Sequence, residues 1–237
     1  MINGLFKTLA EIIYPQYCLS CRKKIADKNS GDPICAECVE KIIPNIPPFC
    51  RRCGRHISAQ RICDDCVKIN FHFDRAWASC RYEGAAREML HSFKYKSKTG
   101  LGRNLSQLLI NFVKNYHLPV SDCDYVIPIP LSAAKLRERE FNQAGTLAEG
   151  LAKYFELKLL DNNLKRIRNT ASQAELDKHK RWQNIQGAFG LKDPEALKEK
   201  TILLIDDVLT TGATASEAAK TLKNAGASSV FVLTVAN

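Results

Sequence analysis

A strand, two carboxylates, a turn and a helix follow one another without interruption between Thr201 and Gly226, and that order restricts the fold more than any other stretch. Thr201-Ile202-Leu203-Leu204-Ile205 is a nearly continuous apolar run rich in β-branched residues. Such a run suits a strand buried on both faces of a parallel sheet. Asp206 and Asp207 come next, followed by Val208-Leu209-Thr210-Thr211-Gly212-Ala213-Thr214. Ala215, Ala218, Ala219 and Leu222 then recur at helical spacing until Gly226 supplies a stop.

This order implies a ligand. In an open parallel sheet, ligands sit beyond the carboxyl ends of the strands. A loop that enters a helix there aims free N–H groups and the positive dipole end at an anion. Gly212 permits close approach or a positive φ, and Thr210, Thr211 and Thr214 add hydroxyl donors. Two carboxylates repel a phosphate but suit a cis-diol, or a hard cation such as Mg²⁺. A phosphate together with a diol describes a ribose 5-phosphate. The plainer alternative is an Asp-rich turn that caps an ordinary helix, and the agreement of the whole order argues against it.

The 237 residues can hold one large domain, or one of medium size and a small one. No apolar run is long enough to cross a bilayer. Met1 to Tyr17 is amphipathic (Ile2, Leu5, Phe6, Leu9, Ile12, Ile13) and lacks the apolar core and cleavage site of a signal peptide. It reads as a short docking helix, and a cytoplasmic location is expected. A net charge of +10 favours anionic partners, either phosphorylated metabolites or nucleic acid, although a basic solvated surface explains it equally well.

Eight of the ten cysteines form four CxxC pairs: Cys18/Cys21, Cys35/Cys38, Cys50/Cys53 and Cys63/Cys66. Each pair makes a tight knuckle, and two knuckles complete a tetrahedral Cys₄ zinc site. Without a secretion signal, metal binding is expected rather than disulfides. No thioredoxin-like context supports redox chemistry. Closure of neighbouring knuckles gives one site from Cys18, Cys21, Cys35 and Cys38 and a second from Cys50, Cys53, Cys63 and Cys66. A cross-braced arrangement would interleave them. Pro44, Pro47 and Pro48 separate the halves like a linker and favour the first scheme. Gly54 eases the turn after Cys53. Both sites read as structural, and metal binding would supply folding free energy that so short a segment lacks. Cys80 and Cys123 read as small buried hydrophobes.

A composition shift near Phe71 divides the chain into a zinc module over 1–70, including the N-terminal helix, and an α/β domain over 71–237. A strand is expected over Phe73–Tyr82, a helix over Ala85–Phe93 and an amphipathic helix over Leu101–Tyr116. A further strand is expected over Asp124–Pro130, a helix over Ala144–Phe155 and a last buried strand over Val230–Val235. Lys94, Lys96 and Lys98 beside Tyr95 read either as a solvated helix end or as a contact for pyrophosphate. After the strand ending at Pro130, the loop from Leu131 and Ser132 to Gln143 carries Lys135, Arg137 and Arg139. A pyrophosphate with bound Mg²⁺ would find cations and amide donors there. The basic stretch Arg166–Ile185 suggests a mobile lid, or else an ordinary surface loop with a helix. The five histidines form no metal-spaced cluster, and no repeat is evident.

Asp206, Asp207, Thr210, Thr211, Gly212 and Thr214 resemble the 5-phosphoribosyl 1-pyrophosphate (PRPP) binding motif of type I phosphoribosyltransferases, with Ala213 inside it. Together with the four CxxC pairs, Pro128-Ile129-Pro130-Leu131 and Arg137-x-Arg139-x-Phe141-Asn142-Gln143, they make nearly the whole chain similar to the ComF family. Glu140 is a departure, since that family usually has Gly there. The resemblance implies a type I phosphoribosyltransferase fold, a mainly parallel twisted sheet flanked by helices, behind a small Cys₄ zinc-binding module. It also implies PRPP binding with Mg²⁺, DNA uptake during natural competence, and single-stranded DNA and the competence helicase machinery as partners. The basic stretch resembles the flexible catalytic loop of amidophosphoribosyltransferases through Arg166, Thr170, Gln173, Arg181 and Asn184, which implies a catalytic role for Arg166, Gln173 and Arg181. Two functions remain open: a Mg²⁺-dependent phosphoribosyl transfer to an acceptor that no residue set identifies, and non-catalytic PRPP or nucleotide binding by a protein that handles single-stranded DNA. Tyr95, Phe141 and Trp182, aromatics among cations, are compatible with the second.

Overall fold

The computed structural model describes residues 17–25, 33–58, 61–94, 100–168 and 178–237. The expected docking helix, Tyr95, Lys96, Lys98, Thr170 and Gln173 lie outside the described residues. In chain order the elements are α1 (Ala36–Glu40), α2 (Asp64–Val67), β1 (Arg75–Cys80), α3 (Gly84–Phe93), α4 (Leu101–Asn115) and β2 (Tyr125–Pro128). They continue with α5 (Ala133–Arg139), α6 (Gln143–Phe155), β3 (Leu164–Arg166), α7 (Lys178–Ile185), β4 (Phe189–Leu191), β5 (Thr201–Val208), α8 (Ala213–Asn224) and β6 (Ser229–Ala236).

Four strands form a parallel sheet in the order β1-β6-β5-β2. Period-two alternation sends neighbouring residues of one strand into different cores. Leu203, Ile205, Leu233, Val235 and Trp77 pack with Met89, Leu105, Leu147 and Leu151 of α3, α4 and α6. Ile202, Leu204, Val230, Val232 and Ala76 pack on the opposite face with Ala215, Ala218, Ala219 and Leu222 of α8. The small residues of α8 let that helix approach closely as it carries the chain from β5 to its neighbour β6. A two-stranded antiparallel pair, β3 and β4, adjoins the α8 side.

The two zinc-binding segments repeat one another, although the sequence shows no evident repeat. The Cys18 N–H donates to the Lys23 carbonyl and the Cys50 N–H to that of Arg55, each at 2.8 Å. The Cys35 N–H reaches Cys18 Sγ, and the Cys63 N–H reaches Cys50 Sγ, each at 3.4 Å. Cys35 and Cys63 then serve as N-caps of α1 and α2. Beyond the cysteines the two segments share only Ile25 with Ile57, Ile34 with Ile62 and Val39 with Val67, and a different number of residues separates the knuckles in each, which hides the repeat.

The proline-rich segment between the two cages is not a free linker. It runs antiparallel along the outer edge of β1: Asn45 N–H donates to the Ser79 carbonyl and Arg81 N–H to that of Ile43, both at 3.0 Å. Pro44 itself bridges Cys80. That covers the strand edge left open by the order of the sheet.

Two further expectations change. The stretch 131–143 contains the two-turn helix α5, because Ser132 caps it by accepting from the Lys135 N–H at 3.3 Å and Ala133, Ala134 and Leu136 favour helix. Its left-handed C-cap is Glu140, with φ of 64°. Glycine adopts that conformation at least cost, which gives a physical meaning to the departure at this position. In addition, β5 extends to Val208, so Asp206 and Asp207 are the closing residues of a strand, with Asp206 opposite Thr234.

Candidate functional site: a cationic cleft over the strand ends and two cysteine cages

The carboxyl ends of β1, β2 and β5 open into one cleft with a volume of about 350 Å³. After β5 its wall is Asp206, Asp207, Val208, Leu209, Thr210, Gly212, Ala213 and Thr214. After β2 it is Ile129, Pro130, Leu131, Lys135 and Arg139, while Tyr82 and Lys94 close the β1 side. Arg166 at the end of β3 and Arg181 on α7 complete it.

The expected residues thus divide. Lys135 and Arg139 are one helical turn apart on α5 and share the cleft face, whereas Arg137 is exposed and absent from the cleft wall. Ser132 is buried as the cap of α5. Thr211 also serves its own helix, its hydroxyl accepting from the Ala213 N–H at 3.3 Å. Gln143 accepts from Arg139 Nη1 at 2.9 Å and so fixes one cation of the wall. Arg168, within the basic stretch, donates to the Asn184 carbonyl at 2.8 Å and to that of Gln186. Phe141 packs edge-on against Phe93, and Trp182 lies 5.9 Å from Phe71, so both aromatics are engaged in the cores. Tyr82 was not foreseen as a wall residue. Its position two residues beyond β1 was the available signal.

The electrostatics of the cleft suit an anion that also carries hydroxyl groups. Burial, together with the neighbouring charges of Arg139, Arg166 and Lys94, pushes the Lys135 ammonium below its ordinary range. Arg166 is lowered by burial as well, with Asp206 opposing the shift. Asp206 keeps an opening toward the cleft but has protein packed densely around it. Its carboxyl is raised well above the usual range, by desolvation and then by the charge of Asp207, although it accepts from the Asp207 N–H at 2.9 Å. A cluster of crowded cations facing a crowded carboxylate pair is an arrangement that a ligand with both kinds of group relieves.

Gly212 forms the turn between this wall and α8 with φ of 77°, and a Cβ there would lie 2.5 Å from Cε1 of Phe71. The loop is therefore pressed onto an aromatic pair, Phe71 stacked on Phe73 at 4.6 Å, that belongs to the same core as Cys50, Cys53 and Cys66.

The cages close between neighbouring knuckles. In the set Cys18, Cys21, Cys35 and Cys38, and in the set Cys50, Cys53, Cys63 and Cys66, the four sulfurs lie within 4.8 Å of one another. Four converging thiols, with no fifth donor among the described residues, fit Zn²⁺ in a closed, structural site. Cys80 and Cys123 stand apart, and burial raises their thiols to about 11 and about 12, which keeps them unreactive at neutral pH.

Comparison with known proteins agrees with this division. A double zinc ribbon domain matches residues 9–67 and a phosphoribosyl transferase domain matches residues 142–237. Competence protein F of Haemophilus influenzae is 28% identical over 91% of this chain and 94% of its own. The DNA utilization protein YhgH of Escherichia coli K12 is 27% identical over 92% and 95%, and competence protein ComFC of Bacillus subtilis is 28% identical over 82% and 80%. The glutamine phosphoribosylpyrophosphate amidotransferase of B. subtilis is 18% identical with a TM-score of 0.38, over 56% of this chain and 25% of that one. With both zinc cages, the parallel sheet and relatives aligned over most of its length, the chain is similar to the ComF family of phosphoribosyltransferase-like proteins.

Proposed function

We propose that the cleft binds PRPP and that the protein serves DNA uptake in natural competence, transferring the phosphoribosyl group to an acceptor. The observation that carries the binding step is the opposition of Lys94, Lys135, Arg139, Arg166 and Arg181 to the Asp206/Asp207 pair across one opening. The Thr210–Thr214 turn, at the start of α8, would hold the 5-phosphate through amides, hydroxyls and the helix dipole. Asp206 and Asp207 would accept hydrogen bonds from the ribose diol. Lys135 and Arg139 would face the pyrophosphate, with Arg139 braced by Gln143. Mg²⁺, when bound with the diphosphate, would supply further positive charge, and Asp206 and Asp207 offer it hard oxygen donors. Arg166 and Arg181 would stabilise the departing pyrophosphate and keep water from the ribose.

The names of the curated relatives, which refer to competence and DNA utilization, support the wider role. A second reading follows from the same names and the net charge of +10: a non-catalytic PRPP or nucleotide binder that handles single-stranded DNA. No helix among the described residues is long and apolar enough to cross a membrane, and a cytoplasmic site of action is part of this proposal.

Calorimetric titration with Mg²⁺ and PRPP tests the proposal. Binding by the wild type that is lost in Asp206→Asn/Asp207→Asn supports it, and absence of binding by the wild type refutes it. Salt-dependent binding of single-stranded DNA that survives Asp206→Asn, without pyrophosphate release, favours the second reading.

A further inference from the structure

A second cavity of about 300 Å³ lies where the second zinc ribbon meets the carboxyl end of β1, lined by Asn45, Arg55, His56, Arg81, Tyr82, Glu83 and Asn237. It shares Tyr82 with the cationic cleft. From this junction we infer a separate binding site for a small planar anion that also carries N–H groups, such as a heterocyclic carboxylate.

Three features of the wall specify that chemistry. First, two guanidinium groups face the cavity, and their present partners are weak. Arg55 meets Asp65 at 3.4 Å and Arg81 meets Glu83 at 3.8 Å, with all four side chains about half exposed. Exposed pairs of this kind contribute little, so a ligand carboxylate that takes both guanidiniums in a planar fork displaces them readily.

Second, the wall supplies hydrogen-bond acceptors as well as cations. Asn45 is fully buried, and its Nδ2 lies 3.0 to 3.2 Å from the carbonyls of Ala78 and Cys80 and from Asn237 Oδ1. Three acceptors around one nitrogen fix the orientation of the amide. That leaves Oδ1 buried and without a hydrogen-bond partner among the described residues. A buried acceptor in this state costs free energy until a donor reaches it. His56 Nδ1 lies 2.8 Å from the Ile46 carbonyl. A carbonyl only accepts, so Nδ1 carries the hydrogen and Nε2 of the neutral ring is a second acceptor.

Third, Tyr82 gives the wall one aromatic side chain, and the volume lies at the small end of the range for small-molecule sites. Its backbone is fixed, since the Tyr82 N–H donates to the Asn237 carbonyl at 3.1 Å. Acceptors, cations and a ring together describe a nitrogen heterocycle with a carboxylate. A bare phosphate brings neither the ring nor the planar carboxylate. The site stands on residues outside the PRPP assignment except Tyr82, so either assignment can fail without the other.

Titration of the full zinc-loaded chain with orotate and quinolinate, alone and with saturating Mg²⁺ and PRPP, tests the inference. Uracil serves as the uncharged control and a ten-nucleotide thymidine strand as the polymer control. The expected result is carboxylate binding that Arg55→Ala/Arg81→Ala weakens at least tenfold, with uracil weaker than orotate. That double variant should keep the wild-type melting temperature within a few degrees and its PRPP affinity within twofold. Asp206→Asn should lose PRPP and retain the carboxylates, which separates this site from the cleft. The inference is overturned if neither carboxylate binds, if the double variant binds them as the wild type does, or if only the thymidine strand responds to the two arginines.

Discussion

The two zinc cages have the same hydrogen-bond plan but different neighbours, and the contrast explains more about the molecule than either cage alone. Cys18 and Cys38 share a core with Met89, Leu90 and Leu105 on the α3–α4 side of the sheet. Cys50, Cys53 and Cys66 share a core with Phe73, Leu209 and Ala213 on the opposite side, under the Thr210–Thr214 turn. One residue records the difference. After the second cysteine of each set the backbone turns through positive φ, 63° at Arg22 and 73° at Gly54. Arg22 is exposed and tolerates the strain. A Cβ on Gly54 would lie 2.5 Å from the Ala76 carbonyl oxygen and 2.7 Å from Trp77 Cα, both backbone atoms of β1. The first cage is therefore anchored on the α3–α4 side away from the turn, whereas the second is built into the foundation of the cleft.

The largest effect should come from emptying each cage in turn. Cys21→Ser and Cys53→Ser should each remove one zinc and lower the melting temperature, and structural zinc contributes many kcal/mol to small modules. Only Cys53→Ser should weaken PRPP binding in the folded fraction, by at least tenfold. Equal losses of affinity would erase the contrast. Zinc content by mass spectrometry and calorimetry on the same samples decide it.

Glycine replacement comes next. Gly54→Ala should destabilise by about 2–3 kcal/mol, since positive φ and a clash with immovable backbone combine. Arg22→Ala should stay within about 0.5 kcal/mol of wild type, as exposed substitutions usually do. Gly212→Ala belongs with the first of these, at about 1–3 kcal/mol, because the clash is with the Phe71 ring rather than with backbone. Phe71→Leu should recover part of that loss. Urea denaturation reads all four.

A smaller effect of opposite sign is expected at the mouth of the cleft. The Asp206 carboxyl is raised by burial and by Asp207. Its native value lies above its unfolded one, so folding disfavours the charged form. Stability should rise as pH falls from neutrality through the raised native value, and level off at the unfolded value. Asp206→Asn should remove that slope and stabilise by about 1 kcal/mol while abolishing PRPP binding, the usual opposition of stability and function at a strained site. Melting curves between pH 4 and 8 would show a flat profile for the variant, and an unchanged slope would refute the assignment.

The smallest gain in stability should come from Glu140→Gly, which relieves φ of 64° at the end of α5. A gain of about 0.5–1 kcal/mol is expected, less what the glycine costs in unfolded-chain entropy.

The sequence made the β5–turn–α8 unit legible because three signals coincide there: an apolar run, a glycine at a positive-φ turn and a small-residue helix. The cysteine cages were legible through their CxxC spacing, whereas their pairing was only favoured by the prolines between the halves and is set by the fold. What escaped was everything set by distant partners. Residues 43–45 look like a proline linker until β1 offers them an unpaired edge, and Tyr82 joins the cleft only because β1 ends beside β6. Helix α5 was hidden by the density of charge in Lys135–Glu140, whose amphipathic logic refers to a ligand cleft rather than to a core. Arg137, read together with Lys135 and Arg139, falls on the wrong side of that helix.

The covered edge of β1 also bears on how the chain reaches its fold. Within the sheet β1 pairs with β6 alone, and the Cys80 thiol reaches the Val235 carbonyl across 155 positions of chain. Closing a loop of that length is slow, and until it closes β1 exposes hydrogen-bonding groups on the β6 side. Residues 43–45 can occupy the other side early, since they are close in sequence. Metal capture by the two cages would thus act as a kinetic guard, holding a half-satisfied strand out of intermolecular pairing while its final partner is still being assembled.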